Sequence, residues 1–310
     1  MILTVTLNPC IDKTYFVDEN RPGKFINVTE IKIIGGGKGI NVARVLKIFG
    51  YDVLALALIG GYEGKIVENM INNEGIKNIP VWIKDRTREI ITILEIKNNR
   101  QTAYFEPSPF VDTYEKNKLM KTYKKLAEKS DLIILSGSVP HKDLDDAYFH
   151  MIEYAKHLGI KTILDSRDAA LKLGIEASPY LVKPNIKEAE FIINKKISSK
   201  EDMLKALDYL QPKKIEIIVL SLGGEGALIK VKDKKFLAKP PKVKLVNPVG
   251  SGDSMVAGLA IGIIENMETT AMLKLGVAAG AANASIWDAA FITKEQVYNI
   301  LKNTKIITIK

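Results

Sequence analysis

The stretch Asn247-Pro-Val-Gly-Ser-Gly-Asp-Ser-Met-Val-Ala-Gly258 decides how this sequence is read. Two glycines and one aspartate stand directly before a run of small apolar residues. A glycine-rich turn that feeds a helix leaves backbone N–H groups free, and the helix dipole favours an anion beside them. The N–H groups of Gly250, Ser251, Gly252 and Asp253 are expected to converge on one point. Such a cluster suits the charge on a transferring phosphoryl group. Asp253 does not fit a plain anion hole, because its charge would repel the anion. By itself it reads as an ordinary helix-start aspartate, or as a general base for a hydroxyl that attacks a phosphate. The helix dipole is expected to lower its pKa.

Working outward, short runs of Ile, Val and Leu at 2–7, 53–58, 132–135, 162–164, 180–182 and 215–220 read as buried strands. Between them, 40–49, 65–73, 114–128, 144–157, 187–193 and 201–210 carry helical patterns. This alternation predicts a doubly wound, mostly parallel sheet with helices on both faces. Ligands of such sheets collect at the carboxyl ends of the strands. Segments 12–34 and 81–105 break the rhythm and are dominated by β-branched and aromatic residues. They predict a small second β-sheet, inserted as a lid into a single domain spanning 1–310. The second segment contains a hairpin with its turn at Asn98-Asn99. The small-residue patterns from Met255 and from Val277 predict either closely packed helices or a backbone wall beside a flat ligand.

Composition narrows the partners. Lys and Arg number 45 against 36 Asp and Glu, a net charge of +9, but the charges are scattered. No basic arm or tail for nucleic acid exists, so none is expected as a partner. Cys10 is the single cysteine, which excludes an internal disulfide and fits a reducing compartment. There is no secretory pattern at the start and no apolar run long enough to span a bilayer. A cytoplasmic protein without a membrane partner is expected.

Two more glycine clusters carry weight. Gly35-Gly-Gly-Lys-Gly-Ile-Asn opens a helix, and places Lys38 and Asn41 in its first turn, within reach of hydroxyls or a phosphate. Ser221-Leu-Gly-Gly-Glu-Gly follows a strand and reads as a nucleotide-phosphate turn or a plain β-turn. Gly60-Gly-Tyr-Glu-Gly-Lys-Ile is no P-loop: it is one residue short, and Ile66 stands where the magnesium-binding hydroxyl belongs.

Four segments in order carry a family resemblance: Thr6-Leu-Asn-Pro-Cys-Ile-Asp, Gly36-Gly-Lys-Gly-Ile-Asn-Val-Ala, Lys183-Pro-Asn-Ile-Lys-Glu and Val249-Gly-Ser-Gly-Asp. The sequence resembles the PfkB branch of the ribokinase-like carbohydrate kinases along essentially its whole length. Within that branch it is nearest to the 1-phosphofructokinases and tagatose-6-phosphate kinases. The resemblance implies ATP and Mg²⁺ as cofactors, and a ketohexose monophosphate as substrate. Fructose 1-phosphate leads, and tagatose 6-phosphate and fructose 6-phosphate are alternatives. It implies Asp253 as the base, with Gly250, Ser251 and Gly252 as the anion hole. Asp12, Gly36, Lys38 and Asn41 would hold the sugar, and Arg88 and Ser138 its phosphate, with Lys24 a further contact. Lys183, Asn185, Ser221, Gly223 and Gly226 would face the nucleotide, with Asn283 beside the adenine. Glu188 would serve the metal through water. Asp165 would assist the metal or merely end its strand. The resemblance also implies a homodimer through the lid sheet. A free-sugar or nucleoside kinase and a non-catalytic sugar-phosphate sensor stand as the competing readings. Asn247 replaces an aspartate that many members carry, which weakens any monovalent-cation site there.

Overall fold

The structure, a computed structural model, describes residues 1–98 and 100–309. The strands are β1 (Ile2–Thr6), β2 (Cys10–Val17), β3 (Glu30–Gly36), β4 (Val53–Gly60), β5 (Lys77–Ile83), β6 (Arg88–Glu95), β7 (Arg100–Phe105), β8 (Leu132–Ser136), β9 (Lys161–Asp165), β10 (Leu181–Val182), β11 (Ile217–Ser221), β12 (Ala227–Val231), β13 (Lys234–Lys239) and β14 (Lys305–Ile309). The helices are α1 (Lys38–Ile48), α2 (Gly61–Asn73), α3 (Thr113–Ala127), α4 (Ala147–His157), α5 (Asp168–Glu176), α6 (Ile186–Ile193), α7 (Lys200–Leu210), α8 (Ser251–Ile264), α9 (Thr269–Ala284) and α10 (Lys294–Asn303).

Ten strands form the main sheet in the order β14-β13-β12-β11-β10-β9-β8-β1-β4-β5. From β5 to β11 every pairing is parallel. The pattern of β4 explains why both faces are covered. Val53, Ala55, Ala57 and Ile59 join one apolar core, and Leu54, Leu56 and Leu58 join the other. A strand that is apolar on both faces needs a helical layer on each. The first core takes in buried residues of α1, α2, α8 and α9, and the second those of α3, α4, α5 and α7.

The antiparallel β12, β13 and β14 were not legible in the sequence. β13 carries Lys234, Lys235 and Lys239, and β14 begins at Lys305. Lysine-fringed strands have a weak apolar signal, and on the edge strand β14 a lysine also discourages pairing with other chains.

The second sheet has the order β3-β2-β6-β7, as the β-rich segments predicted. Its boundary differs in one respect. Residues 81–83, expected there, belong to β5 and pair with β4 in the main sheet. β5 alternates exposed and buried positions as an edge strand does, which obscured its membership. β6 and β7 pair antiparallel as the hairpin predicted. Its turn includes Asn99, which lies outside the described residues.

Glycine sets the helix spacing behind the site. A Cβ on Gly258 would stand 2.7 Å from the Cα of Gly276, so α8 and α9 touch backbone to backbone. Gly39 lies against β1 in the same way, with a Cβ there only 2.7 Å from the Val5 carbonyl oxygen. Both reach the separation only glycine allows. Among the described residues no helix is long and apolar enough to cross a membrane.

Candidate active site

A cavity of about 1070 Å³ opens at the carboxyl ends of the parallel strands. The main sheet forms one side, and Ile90, Thr92, Gln101 and Ala103 of the second sheet form the other. The starts of α1 and α8 both point into it, through Lys38 and Asn41, and through Gly250, Ser251, Gly252 and Asp253.

The 247–253 turn is held in shape by polar bonds. Asn247 Nδ2 donates to the Trp287 carbonyl at 2.8 Å, and its Oδ1 accepts from Val249 N–H. Gly250 has φ +82°, the left-handed region where a side chain is strained, and a Cβ would lie 2.9 Å from that of Ala289. Of the four amides expected to converge, Ser251 N–H already donates to the Pro248 carbonyl at 3.2 Å. That leaves the amides of Gly250, Gly252 and Asp253 for the anion cradle the sequence leads one to expect. Asn283 departs from the sequence expectation. It is fully buried and does not line the cavity. Its Nδ2 donates to the Val249 carbonyl and Ser251 Oγ, and its Oδ1 accepts from Ala290 N–H. It clamps the turn from behind. Gly280 and Ala281 of the same helix face the cavity instead, so α9 is both a packed helix and a backbone wall.

Asp253 accepts a 2.8 Å hydrogen bond from Asn41 Nδ2. Its pKa is pushed up to about 6, opposite to the expected lowering. Burial is the main cause; Lys38 opposes it, and the Asp165 charge adds to it. Desolvation of a nearly enclosed carboxylate outweighs the dipole. Behind Asp253 lies an alternating charge cluster. Lys38 and Lys183 each approach Asp165 Oδ1 at 3.3 Å, and Lys38 lies 3.9 Å from Glu188. Burial alone would lower the Lys38 pKa, but the surrounding carboxylates of Asp165, Asp253 and Glu188 raise it. Burial would likewise raise Asp165, but Lys183 and Lys38 hold it below its ordinary value. Glu188 is raised by burial and by the Asp165 charge. Asp165 thus lies wholly buried between two ammonium groups, away from the cavity lining. Its Oδ1 anchors both lysines, and its Oδ2 is buried without a hydrogen-bond partner among the described residues.

The Asn-x-x-Glu segment is a capping box. Asn185 Oδ1 accepts from Glu188 N–H at 2.9 Å, and Glu188 Oε2 accepts from Asn185 N–H at 2.8 Å. This fixes the entry to α6 and satisfies two helix-start donors reciprocally. Asn185 lines the cavity, and so do Lys183, Ser221, Gly223 and Gly226. Ser221 Oγ donates to the Pro184 carbonyl at 3.3 Å. Gly226 has φ +95°, and a Cβ there would collide with the Ala238 carbonyl, so this turn requires glycine.

Residues are fewer but more telling at the other end of the cavity. Asp12 of β2 faces Gly36, where any Cβ would collide with its carboxylate. Burial pushes the Asp12 pKa up to about 6, while the Cys10 thiol and Arg88 hold it down. Arg88 Nη2 donates to the Asn8 carbonyl at 3.4 Å, and its buried Nε has no partner among the described residues. Burial lowers the Arg88 pKa and the nearby Arg167 lowers it further, although Cys10 and Asp12 oppose them. Asn8 Nδ2 donates to Ser138 Oγ at 3.2 Å, and Asn8 Oδ1 is a second buried atom without a partner. Sequence reasoning missed Arg167 and Asn8 as lining residues. Asn8 belongs to the Thr-Leu-Asn-Pro motif that was already legible, but Arg167 stood alone in Asp165-Ser-Arg-Asp with no pattern around it. Lys24, expected near the phosphate, is exposed and outside the cavity lining.

A family model described as pfkB family carbohydrate kinase matches residues 5–290. A tagatose-6-phosphate kinase of Staphylococcus epidermidis is 37% identical over 313 residues, covering 100% of both chains. Among solved structures, phosphofructokinase-2 from Escherichia coli in complex with fructose-6-phosphate superposes with a TM-score of 0.88 at 27% identity, covering 97% of this chain and 98% of that one. The same enzyme in complex with potassium gives a TM-score of 0.91 at 28% identity, with the same coverage.

Proposed function

The chain belongs to the pfkB family of carbohydrate kinases, and from that premise we propose that it moves the γ-phosphoryl group of ATP to a hydroxyl of a ketohexose monophosphate. One observation carries the acceptor class. Two guanidinium groups, Arg88 and Arg167, line the cavity that also holds the raised carboxylate of Asp253, and Arg88 Nε is buried without a partner. An uncharged sugar has no use for such a pair, whereas a phosphate accepts forked donors readily. Tagatose 6-phosphate, giving tagatose 1,6-bisphosphate, is the leading acceptor, supported by the full-length similarity to a tagatose-6-phosphate kinase. Fructose 1-phosphate is the second reading, supported by the Thr6-Leu-Asn-Pro-Cys-Ile-Asp opening.

The residues divide the work. Arg88, Arg167, Ser138 and Asn8 hold the substrate phosphate. Asp12 and Asn41 hold ring hydroxyls and leave one hydroxyl facing Asp253. With a pKa near 6, Asp253 is ionised at neutral pH yet still basic enough to take a proton late in a loose transition state. The amides of Gly250, Gly252 and Asp253 receive the negative oxygens of the transferring group. Lys183, Asn185 and the 221–226 turn hold the nucleotide. Among the described residues no three acidic, imidazole or thiol groups gather into a metal cage. Mg²⁺ would keep several of its waters, and Glu188, whose Oε1 lies outside the capping box and 3.9 Å from Lys38, would receive one of them. The ion would supply charge neutralisation at the transferring phosphoryl group. The second sheet acts as the lid that excludes water from the reaction.

An ADP-coupled assay across tagatose 6-phosphate, fructose 1-phosphate, fructose 6-phosphate, free ketohexoses and nucleosides tests this reading. Turnover is expected with a ketohexose monophosphate and loss of it with EDTA. Turnover confined to free sugars or nucleosides would overturn the acceptor class.

The exposed face of the small sheet carries Ile31, Ile33 and Tyr104, with Phe25 in the adjoining loop. These apolar side chains support a homodimer formed through that sheet. Light scattering is expected to give twice the 34.4 kDa chain mass. A monomer at micromolar concentration would remove the dimer.

A further inference from the structure

Arg44 lies two turns into the site helix and touches neither the cavity nor solvent, being 2% exposed. It nonetheless makes four hydrogen bonds close to the base. Its Nε donates to Glu74 Oε2 at 2.6 Å, and Nη2 to Glu74 Oε1 at 2.9 Å. Nη2 also donates to the Gly35 carbonyl of β3 at 2.8 Å. Nη1 donates to Asn41 Oδ1 at 2.8 Å, and Asn41 Nδ2 in turn donates to Asp253 Oδ2 at 2.8 Å. The Phe291 ring stacks on the guanidinium at 4.6 Å.

We infer that Arg44 is a positioning residue for the phosphoryl-transfer base, acting through the side-chain amide of Asn41. The argument rests on what each group is able to do. A guanidinium only donates, so the Asn41 atom that faces it must be the oxygen. The amide nitrogen is thereby turned toward Asp253, and an amide nitrogen is the half that a carboxylate accepts from. Without Arg44 the amide is free to flip, and its oxygen would then face the carboxylate with nothing to donate. Asn41 and Arg44 are three apart on α1, the spacing that brings two side chains together on a helix. Glu74 closes the C-terminal end of α2 and holds the other side of the guanidinium. The relay therefore ties α2 and the small sheet, through Gly35, to one carboxylate oxygen of the base. Charged groups facing Asp253 from elsewhere are Lys38 at the start of α1, Lys183 after β10 and Asp165 at the end of β9. None of them touches Asn41 Oδ1, so none replaces Arg44 in choosing the orientation of the amide.

This inference rests on the kinase reading above, and the test separates the two. The paired variant Arg44→Met/Glu74→Gln removes the buried guanidinium and its partly exposed partner together, which avoids leaving one charge unpaired. In the ADP-coupled assay its kcat is expected to fall about ten- to a hundred-fold, the range for one hydrogen bond to a charged group. KM for ATP should stay within about twofold of wild type, because the relay touches none of the residues assigned to the nucleotide. The acid limb of the pH profile should move upward, because the Asn41 hydrogen bond lowers the Asp253 pKa. In an Asn41→Ala background the same pair should add no further loss, the signature of action through Asn41. A full additional loss in that background would mean a structural role and overturn the inference, as would wild-type kcat in the folded pair. If the pair does not fold, Arg44→Lys replaces it. An ammonium drawn to Glu74 lacks the rigid fork that holds a second donor in line with Asn41, so a smaller fall in the same direction is expected, and wild-type kcat there overturns the inference. A wild-type protein with no sugar-phosphate turnover would instead overturn the kinase reading.

Discussion

Asp253→Asn is expected to lower kcat by roughly two to four orders of magnitude, the range for removing a general base, while ATP still binds. It is also expected to make the protein more stable at neutral pH. The two effects share a cause. Asp253 has its pKa pushed from 3.8 to about 6, chiefly by burial. A raised carboxyl pKa means the folded state holds the proton more tightly than the unfolded chain does. Stability from this group is therefore full at low pH and lost as pH rises through about 6. At pH 7 the ionised carboxylate costs about 3 kcal/mol, taking roughly 1.4 kcal/mol per pKa unit. A neutral amide avoids that cost and can still accept from Asn41 through its oxygen. The melting temperature of Asp253→Asn should exceed wild type by several degrees above pH 6, and the gain should vanish below about pH 4. Retained turnover would remove Asp253 from the mechanism. A lower melting temperature at pH 7 would show that the Lys38 and Lys183 attraction outweighs burial.

Arg88→Ala is expected to raise KM for the sugar phosphate by about ten- to a hundred-fold, since each hydrogen bond to a charged group is worth about 1.5–3 kcal/mol. KM for ATP should not change, because Arg88 stands on the second sheet and the nucleotide turn on the main one. The effect should also depend on the acceptor. Any slow turnover of the unphosphorylated ketohexose should be unaffected, or improve as the uncompensated cation is removed. Arg167 shares the cavity, and its charge lowers the Arg88 pKa, so the two guanidinium groups repel while the site is free of an anion. A bound phosphate relieves that repulsion, which makes part of the binding energy a release of strain already present. Unchanged KM in Arg88→Ala would sink the sugar-phosphate assignment and favour a free-sugar or nucleoside kinase. A sensor without catalysis would bind the sugar phosphate, lose that binding in Arg88→Ala, and show no ADP release in any variant.

Much of the site was legible because its chemistry demands particular residue types in sequence. Gly250 must be glycine to take a left-handed φ, and Gly36 must be glycine to face Asp12. Such positions mark themselves in the chain. The double-faced apolar strands were equally plain, since β4 has no polar side chain to confuse its period. What the sequence hid depends on orientation and burial. Whether Asn283 faced the cavity or the turn could not be read from a helix that is small on all sides. The sign of the Asp253 shift needed the count of neighbours that exclude water. Arg167 and Arg44 gave no pattern of their own, because what each meets is set largely by residues distant in the chain, Arg88 for the one, Glu74 and Asp253 for the other. The antiparallel edge was hidden by the lysines that protect it.

The residues proposed to hold the acceptor come from both the small sheet and the main body, and those of the phosphoryl-transfer turn from the main body alone. Asp12 and Arg88 stand two register positions apart on the paired strands β2 and β6, whereas the turn before α8 and the 221–226 glycines belong to the ten-stranded body. The hydrogen-bond ladders of these sheets are separate. Replacements at Asp12 or Arg88 can thus shift which acceptor is taken without altering the residues of the phosphoryl-transfer turn itself. In evolutionary terms, part of the proposed acceptor site can drift on a scaffold of its own, while Asn8, Asn41, Ser138 and Arg167 tie the rest to the body that would carry the chemistry.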